Sequence, residues 1–407
     1  MQRRRVSAGT VVGGFVAAVG LLAAVAAVAA VVVGVVAVVF ARKVVTPPRE
    51  REEDVRVVSV DLPAARVVLE GVEVDMPGRY GLWFERGAGH ARLGEVVTTN
   101  GRLVTRVLEG VDFGRLERAR HARMDGWLML GPWEVGVDYE NVVVQTSLGP
   151  APAWHVPAAE PSGRWVVQVH GRGAKRQEAL RAVLPAREAG WDSLLVSYRN
   201  DGEAPESVDR RYGLGGTEWE DVVAAVAYAR AHGAREVVLM GWSMGGSIVL
   251  QSVLRSEEVR AALTGVILES PAIDWADILR FQGSTYGLPN DVSDLVTRIL
   301  SAPVAVGVTG LAAPIDLESL DAVARAHEFD VPMLLLASED DGFVPIAGAR
   351  RFAEARPDLV EFEVFHDARH TKLWNAEPER WSGLIEAWLV RRAVSGAPAL
   401  GEAEVAG

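Results

Sequence analysis

The chain has 407 residues, a formal net charge of −12 and no cysteine. That length accommodates two or three domains of about 150 residues each. The missing thiols exclude disulfides, thiolate metal sites and a cysteine nucleophile. The acidic balance argues against nucleic-acid binding, which needs a basic face.

The first element is an apolar run. Val11 to Phe40 contains no charged residue, and a membrane span needs roughly 20 apolar residues. The run is longer than the ~7–15 residues of a signal peptide, so residues 1–43 read as an uncleaved signal anchor. "VFA", ending at Ala41, leaves cleavage open, and a buried core helix is the plain alternative. Arg3, Arg4 and Arg5 precede the run, which places the N-terminus in the cytoplasm and the rest of the chain outside.

Residues 44–54, "VVTPPREREED", read as a linker with nothing to pack. Residues 55–138 show period-two alternation broken by glycines ("VRVVSVDL", "ARVVLEGVEV", "YGLWFERG", "GRLVTRVLEG"). They predict a small β-rich module with no convergent catalytic residue types, and so a packing or substrate-shaping role.

From about Tyr139 the texture changes. "NVVVQTSLGPAPAWHVPA" reads as a hairpin and "RWVVQVHG" as a buried strand. "DSLLVSYRN", "EVVLMGWS", "GVILES", "PMLLLAS" and "VEFEVF" are further strands, separated by helical spacings. Such alternation predicts a mostly parallel sheet covered on both faces. Thr217, with Glu220 three residues on, predicts a capping box at the start of one helix. Residues 274–328 interrupt the alternation and read as a cap or lid. The tail, 394–407, has the composition of a disordered segment.

"VVLMGWSMGG" places Gly241-Trp242-Ser243-Met244-Gly245 between a strand and a helix, the context a Gly-x-Ser-x-Gly nucleophile turn demands. Gly241 and Gly245 suit a sharp turn. Ser243 needs a base, and the base an orienting acid. His370, in "HDARHTKLWN", is the expected base, with His366 its competitor. The HxxxH spacing of this pair lacks the glutamate of a helical zinc motif, so no metal is assigned. "SEDDGFVP" supplies the acid. Asp341 is assigned, Glu339 and Asp340 read as solvated loop charges, and Glu269 is the fallback. The oxyanion donors are expected from the backbone of Met244 and of Arg172, in His170-Gly171-Arg172-Gly173. The Arg172 side chain reads as meeting a substrate carboxylate or facing solvent, and His170 as structural.

"VHGRG", "GWSMGG", "SEDDGFVP" and "ARHTKLWN" occur in the order Ser…Asp…His. Over about residues 139–393 the chain thereby resembles the α/β-hydrolase superfamily, with a prolyl-oligopeptidase-like and esterase-like character. The resemblance implies an eight-stranded sheet with helices on both faces, a Ser243–Asp341–His370 triad and no cofactor. The expected activity is a membrane-anchored serine hydrolase of carboxylic esters. Alternatives are a peptidase or amidase, a thioesterase or acyltransferase, and a non-catalytic binding protein of the same fold. The expected partners are a small acyl substrate and the bilayer, with no nucleic acid; the sequence does not give the oligomeric state.

Overall fold

Among the described residues, fourteen strands divide between two sheets. The computed structural model describes residues 8–395, with side chains over 26–393. The tail expected to be disordered lies outside the described residues from 396 on.

The first 38 described residues are one helix, α1 (Ala8–Val45), about 57 Å long at 1.5 Å per residue. Its stretch Ala26–Val45 is long and apolar enough to cross a membrane. Val28, Val31, Val32, Val35 and Val39 are each more than half exposed. Ala37, Ala41 and Val45 are fully buried, and their spacing of four puts them on one face. The last turns of α1 are therefore packed into the protein.

Strands β1 (Val55–Asp61), β2 (Arg66–Gly71), β3 (Tyr80–Phe84), β4 (Gly89–Asn100), β5 (Leu103–Phe113) and β6 (His121–Asp125) close into a barrel in the order β1-β2-β5-β4-β3-β6. Closure leaves no free edge. The inward residues Val67, Leu69, Leu82, Phe84 and Leu93 form its core. Inside sits Arg106, wholly buried. It donates to the carbonyls of Val74, Met76, Gly78 and Gly94 at 2.5–3.0 Å, and Tyr80 lies 5.3 Å from the guanidinium. A buried cation is tolerated here because carbonyl dipoles replace its water.

The second sheet has eight strands: β7 (Glu140–Thr146), β8 (Gly149–Val156), β9 (Arg164–Val169), β10 (Asp192–Val196), β11 (Glu236–Trp242), β12 (Leu263–Glu269), β13 (Met333–Ser338) and β14 (Val360–Phe365). Their spatial order is β14-β13-β12-β11-β9-β10-β8-β7. β8 pairs antiparallel with β7 and β10, and the remaining pairs are parallel. The helices are α2 (Val183–Glu188), α3 (Trp219–Ala231), α4 (Met244–Arg255), α5 (Glu257–Ala262), α6 (Trp275–Thr285), α7 (Asn290–Ser301), α8 (Val306–Thr309), α9 (Ile346–Ala355), α10 (Leu373–Ala376) and α11 (Pro378–Ser395).

The strand residues alternate between two cores. Val167, Val237 and Leu239 join α3, α4 and α9 on one face. Val166, Val238 and Met240 join α2 and α11 on the other. Both faces are covered, so the strands are apolar throughout.

Two expectations are corrected and a third gains a contact. Residues 46–54 are a packed strap, not a free linker. Pro48 lies against Gly173, where an added Cβ would come within 2.7 Å of its ring, and the Arg51 guanidinium donates to Gly173 O and pairs with Asp125 of the barrel. A proline-rich charged run can order itself when a few of its charges find fixed partners, here Arg51 and also Glu53, which accepts from Arg86 N–H. The capping box at Thr217 does not form. α3 begins at Trp219 without a side-chain cap, and the buried Glu218 instead accepts from the N–H groups of Gly213, Gly215 and Thr217; Glu220 pairs with Arg199. The segment 274–328 is helical and inserted between β12 and β13, but it also packs on α1. Ala37, Ala41 and Val45 share one core with Trp275, Val292 and Val296.

Candidate active site

β11 ends in a turn that only small residues permit. A Cβ on Gly241 would lie 2.5 Å from Gly245 O, and one on Gly245 would lie 2.1 Å from Val169 O. The chain reverses into α4 through Ser243, at φ 52° and ψ −118°. A non-glycine residue there is strained by about 1–3 kcal/mol. Two hydrogen bonds fix the corner: Ser243 N–H donates to Glu269 O at 3.0 Å, and Ala272 N–H to Ser243 O at 2.9 Å.

β13 and β14 deliver two further groups to the same rim. His370 Nε2 is 2.8 Å from Ser243 Oγ, and its Nδ1 is 2.8 Å from Asp341 Oδ2. Asp341 Oδ1 accepts from the N–H groups of Phe343 and Val344 at 2.8 and 2.9 Å, so the carboxylate is fixed from behind. Burial lowers the His370 pKa, but the charge and hydrogen bond of Asp341 outweigh it, and Glu178 and Glu269 add to them. The net effect raises the imidazole above its ordinary value. Phe343 covers the ring, with centroids 5.1 Å apart.

The loop after β9 brings Gly171 close enough that an added Cβ would sit 3.2 Å from Ser243 Cβ. Among the described residues, neither the Arg172 nor the Met244 backbone N–H donates to a protein acceptor. Met244 opens α4, where the helix dipole favours negative charge. The Arg172 side chain takes neither expected role. It turns away from Ser243 to the C-terminal end of α1, donating to Val44 O at 2.8 Å, Lys43 O at 2.5 Å and Thr46 O at 3.0 Å. The last carbonyls of a helix have no partner within it, and a cation satisfies them well. His170 is buried against Tyr198, with ring nitrogens on Asp201 Oδ2 and Gly171 O.

The competitors fall elsewhere. His366 is largely exposed beside Glu339. Glu269 is buried under the turn, accepting from the indoles of Trp242 and Trp381 at 2.6 and 2.9 Å, and desolvation raises its pKa. The fallback acid therefore touches the backs of the tryptophans and not the imidazole. Glu339 is the exposed loop charge expected, while Asp340 is half-buried and has a structural task. Asp340 ties the loops after β13 and β14, accepting from Asp367 N and, through its carbonyl, from Arg369, while Glu339 pairs with Arg350.

Sequence reading missed several supports. Glu178, buried on the segment before α2, accepts from Gly171 N–H at 2.7 Å and so holds the loop that carries Arg172. Arg181, one turn on, donates to Thr371 O at 2.7 Å. Asn375, in the "HTKLWN" quoted for its histidine, donates to Arg79 O and Gly126 O, docking the barrel on the loop after His370. A residue joining two distant segments carries no local signal.

A cavity of about 370 Å³ opens above Ser243 and His370. The strap (Arg51, Asp54) and the barrel (Arg123, Asp125) form its other wall.

The profile of the Alpha/beta hydrolase family matches residues 166–383, more than half of the chain. The chain belongs to this family. Within the hydrolase a second profile, a domain of unknown function, matches residues 56–125, the span of the barrel. No curated protein matches. Among solved structures, an esterase of Pyrococcus furiosus is 18% identical, with a TM-score of 0.50 over 65% of this chain and 94% of its own. An esterase of Exiguobacterium antarcticum is 18% identical (TM-score 0.45; 61% and 99%). A puromycin-hydrolysing peptidase of Mycobacterium tuberculosis is 19% identical (TM-score 0.49; 81% and 47%). The first of these likenesses shows the fold of the hydrolase domain.

Proposed function

We propose that this hydrolase cleaves carboxylic esters through an acyl-enzyme on Ser243 and is held at a membrane by α1. The relay Ser243 Oγ–His370–Asp341, with both contacts at 2.8 Å, carries the reading. His370 Nε2 takes the hydroxyl proton as Oγ attacks the ester carbonyl. Asp341 holds the Nδ1 proton and balances the imidazolium. The oxyanion is received by the N–H groups of Met244 and Arg172. His370 passes the proton to the departing alcohol, and the same steps with water release the acid.

The anchoring reading rests on the apolar α1, with the N-terminus in the cytoplasm and residues 46 onward outside. The domains are then an anchor (1–43, its helix continuing to Val45), a strap (46–54), a barrel module (55–138) and the hydrolase domain (139–393).

A fluorophosphonate probe should label the wild type and not Ser243→Ala. Absence of labelling in folded wild type would refute the acyl-enzyme. p-Nitrophenyl esters assayed beside aminoacyl amides separate an esterase from a peptidase. Protease added to intact cells should degrade the outer domain.

A further inference from the structure

A second cavity, of about 80 Å³, lies on the far side of Phe343 and Arg172 from the one above Ser243, and these two residues line both. Its wall is almost wholly apolar, and part of it is the membrane helix: Phe40 and Val44 of α1 face Trp275 and Ile278 of α6. Its outer end is bordered by Tyr286. That residue meets Phe40 edge-on at 6.4 Å between centroids and accepts from Lys43 at 3.3 Å. The cavity over Ser243, by contrast, is lined by charges from the strap and the barrel.

We infer that the hydrolase acts on acylated amphiphiles resident in the bilayer. Their acyl chain enters between α1 and α6, and their polar alcohol lies under the barrel and strap. This rests on the anchored-esterase reading and names its substrate class. The oxygen attached to the carbonyl must leave toward one side of Ser243 and the acyl chain toward the other, and the two cavities offer one polar and one apolar direction. The apolar one is about half the size of a cavity that holds benzene (~150 Å³), so it takes the first few carbons.

The remainder of the chain has a route. The cavity is bordered by the half-buried Phe40 and the exposed Tyr286, and Val35 and Val39, exposed on the span, lie within about one turn of Phe40 along α1. Tyr286 and Lys43 are the residue types that settle at the headgroup level. Val304 and Val308, beside and on α8, are exposed next to the foot of α1. They continue an apolar collar that a bilayer would cover.

The test uses the full chain in detergent micelles, with p-nitrophenyl esters from acetate to dodecanoate. Val44→Trp narrows the cavity, and the octanoate-to-acetate ratio of kcat/KM should fall at least tenfold, since each buried methylene contributes about fourfold. Phe40→Ala opens it, and the dodecanoate-to-acetate ratio should rise. Shifts in opposite directions cannot come from misfolding, and partition into micelles cancels between enzymes. Identical ratios in all three proteins would overturn the acyl site. Absence of any Ser243-dependent turnover of acetate by wild type would overturn the esterase reading instead. In vesicles doped with 4-methylumbelliferyl oleate, adding fourfold lipid at fixed ester should lower the rate about fourfold; an unchanged rate would overturn a bilayer source.

Discussion

Asp341→Asn tests the relay at a buried point. Asp341 Oδ1 is held by two N–H donors, Phe343 and Val344, so the asparagine oxygen must take that position. Its amide nitrogen then replaces Oδ2, 2.8 Å from His370 Nδ1. A donor now faces Nδ1, which must accept. The ring proton moves to Nε2, where it faces Ser243 Oγ, and no lone pair remains to take the hydroxyl proton. A carboxylate-to-amide change with this geometry costs about 10⁴ in kcat in a serine protease, roughly 5 kcal/mol. The assay is kcat/KM for p-nitrophenyl butyrate from pH 5 to 10. In the proposed mechanism His370 works as the neutral base, and its pKa is raised. Activity should therefore appear as pH rises through a midpoint above the ordinary ~6.5. In Asp341→Asn the plateau should fall by about four decades and the midpoint should move down, because the charge that favoured the imidazolium is gone. A plateau within tenfold of the wild type, or an unmoved midpoint, would remove Asp341 from the relay.

Gly245→Ala forces a Cβ to 2.1 Å from Val169 O, so the start of α4 must shift. A displacement of about 1 Å costs about 10² in rate, and kcat of the soluble variant reads it. Arg106→Met strands the carbonyls of Val74, Met76, Gly78 and Gly94 inside the barrel. At about 1–3 kcal/mol for each buried unmet group, hydrogen exchange should accelerate across residues 55–125 and remain slow in β9–β12. Glu269 has a raised pKa through burial. The folded state therefore holds its proton more tightly than the unfolded chain, and ionisation opposes folding as pH rises above about 4.5. Glu269→Gln cannot ionise, so its urea midpoint should improve relative to wild type between pH 5 and pH 8; an unchanged difference would refute the linkage.

The parallel sheet was legible because burial on two faces leaves an unmistakable mark, the continuously apolar runs "VVLMGW" and "MLLLA". The Ser243 turn was legible for a related reason. Backbone crowding excludes side chains at Gly241 and Gly245, so the geometry is written in the residues themselves. The barrel was half legible. β2 and β5 alternate between buried and outward positions, but β3 is buried at four of its five positions and β4 carries register shifts against β5, which disturb the period the eye follows. Its closure through β1 and β6 joins segments more than sixty residues apart, beyond the reach of any local pattern.

The strap and the Arg172 side chain were illegible for a different reason: charge does not announce its partner. "PPRERE" has the composition of a spacer, yet Arg51 finds a fixed carbonyl on Gly173 and a fixed carboxylate on Asp125. Arg172 could be placed by its backbone alone, because the loop after the third strand of the large sheet must pass the nucleophile. Where its guanidinium went depended on an element 128 residues earlier in the chain. The consequence is a mechanical link that composition could not suggest. One residue offers its N–H beside Ser243 and its side chain to the last carbonyls of α1, so the helix that would enter the bilayer is bonded directly to the loop expected to hold the oxyanion. Displacing α1 would leave those carbonyls and a half-buried guanidinium unmet together. The terminal turn of α1 therefore packs as part of the hydrolase domain, and removing it would loosen the loop that carries Arg172.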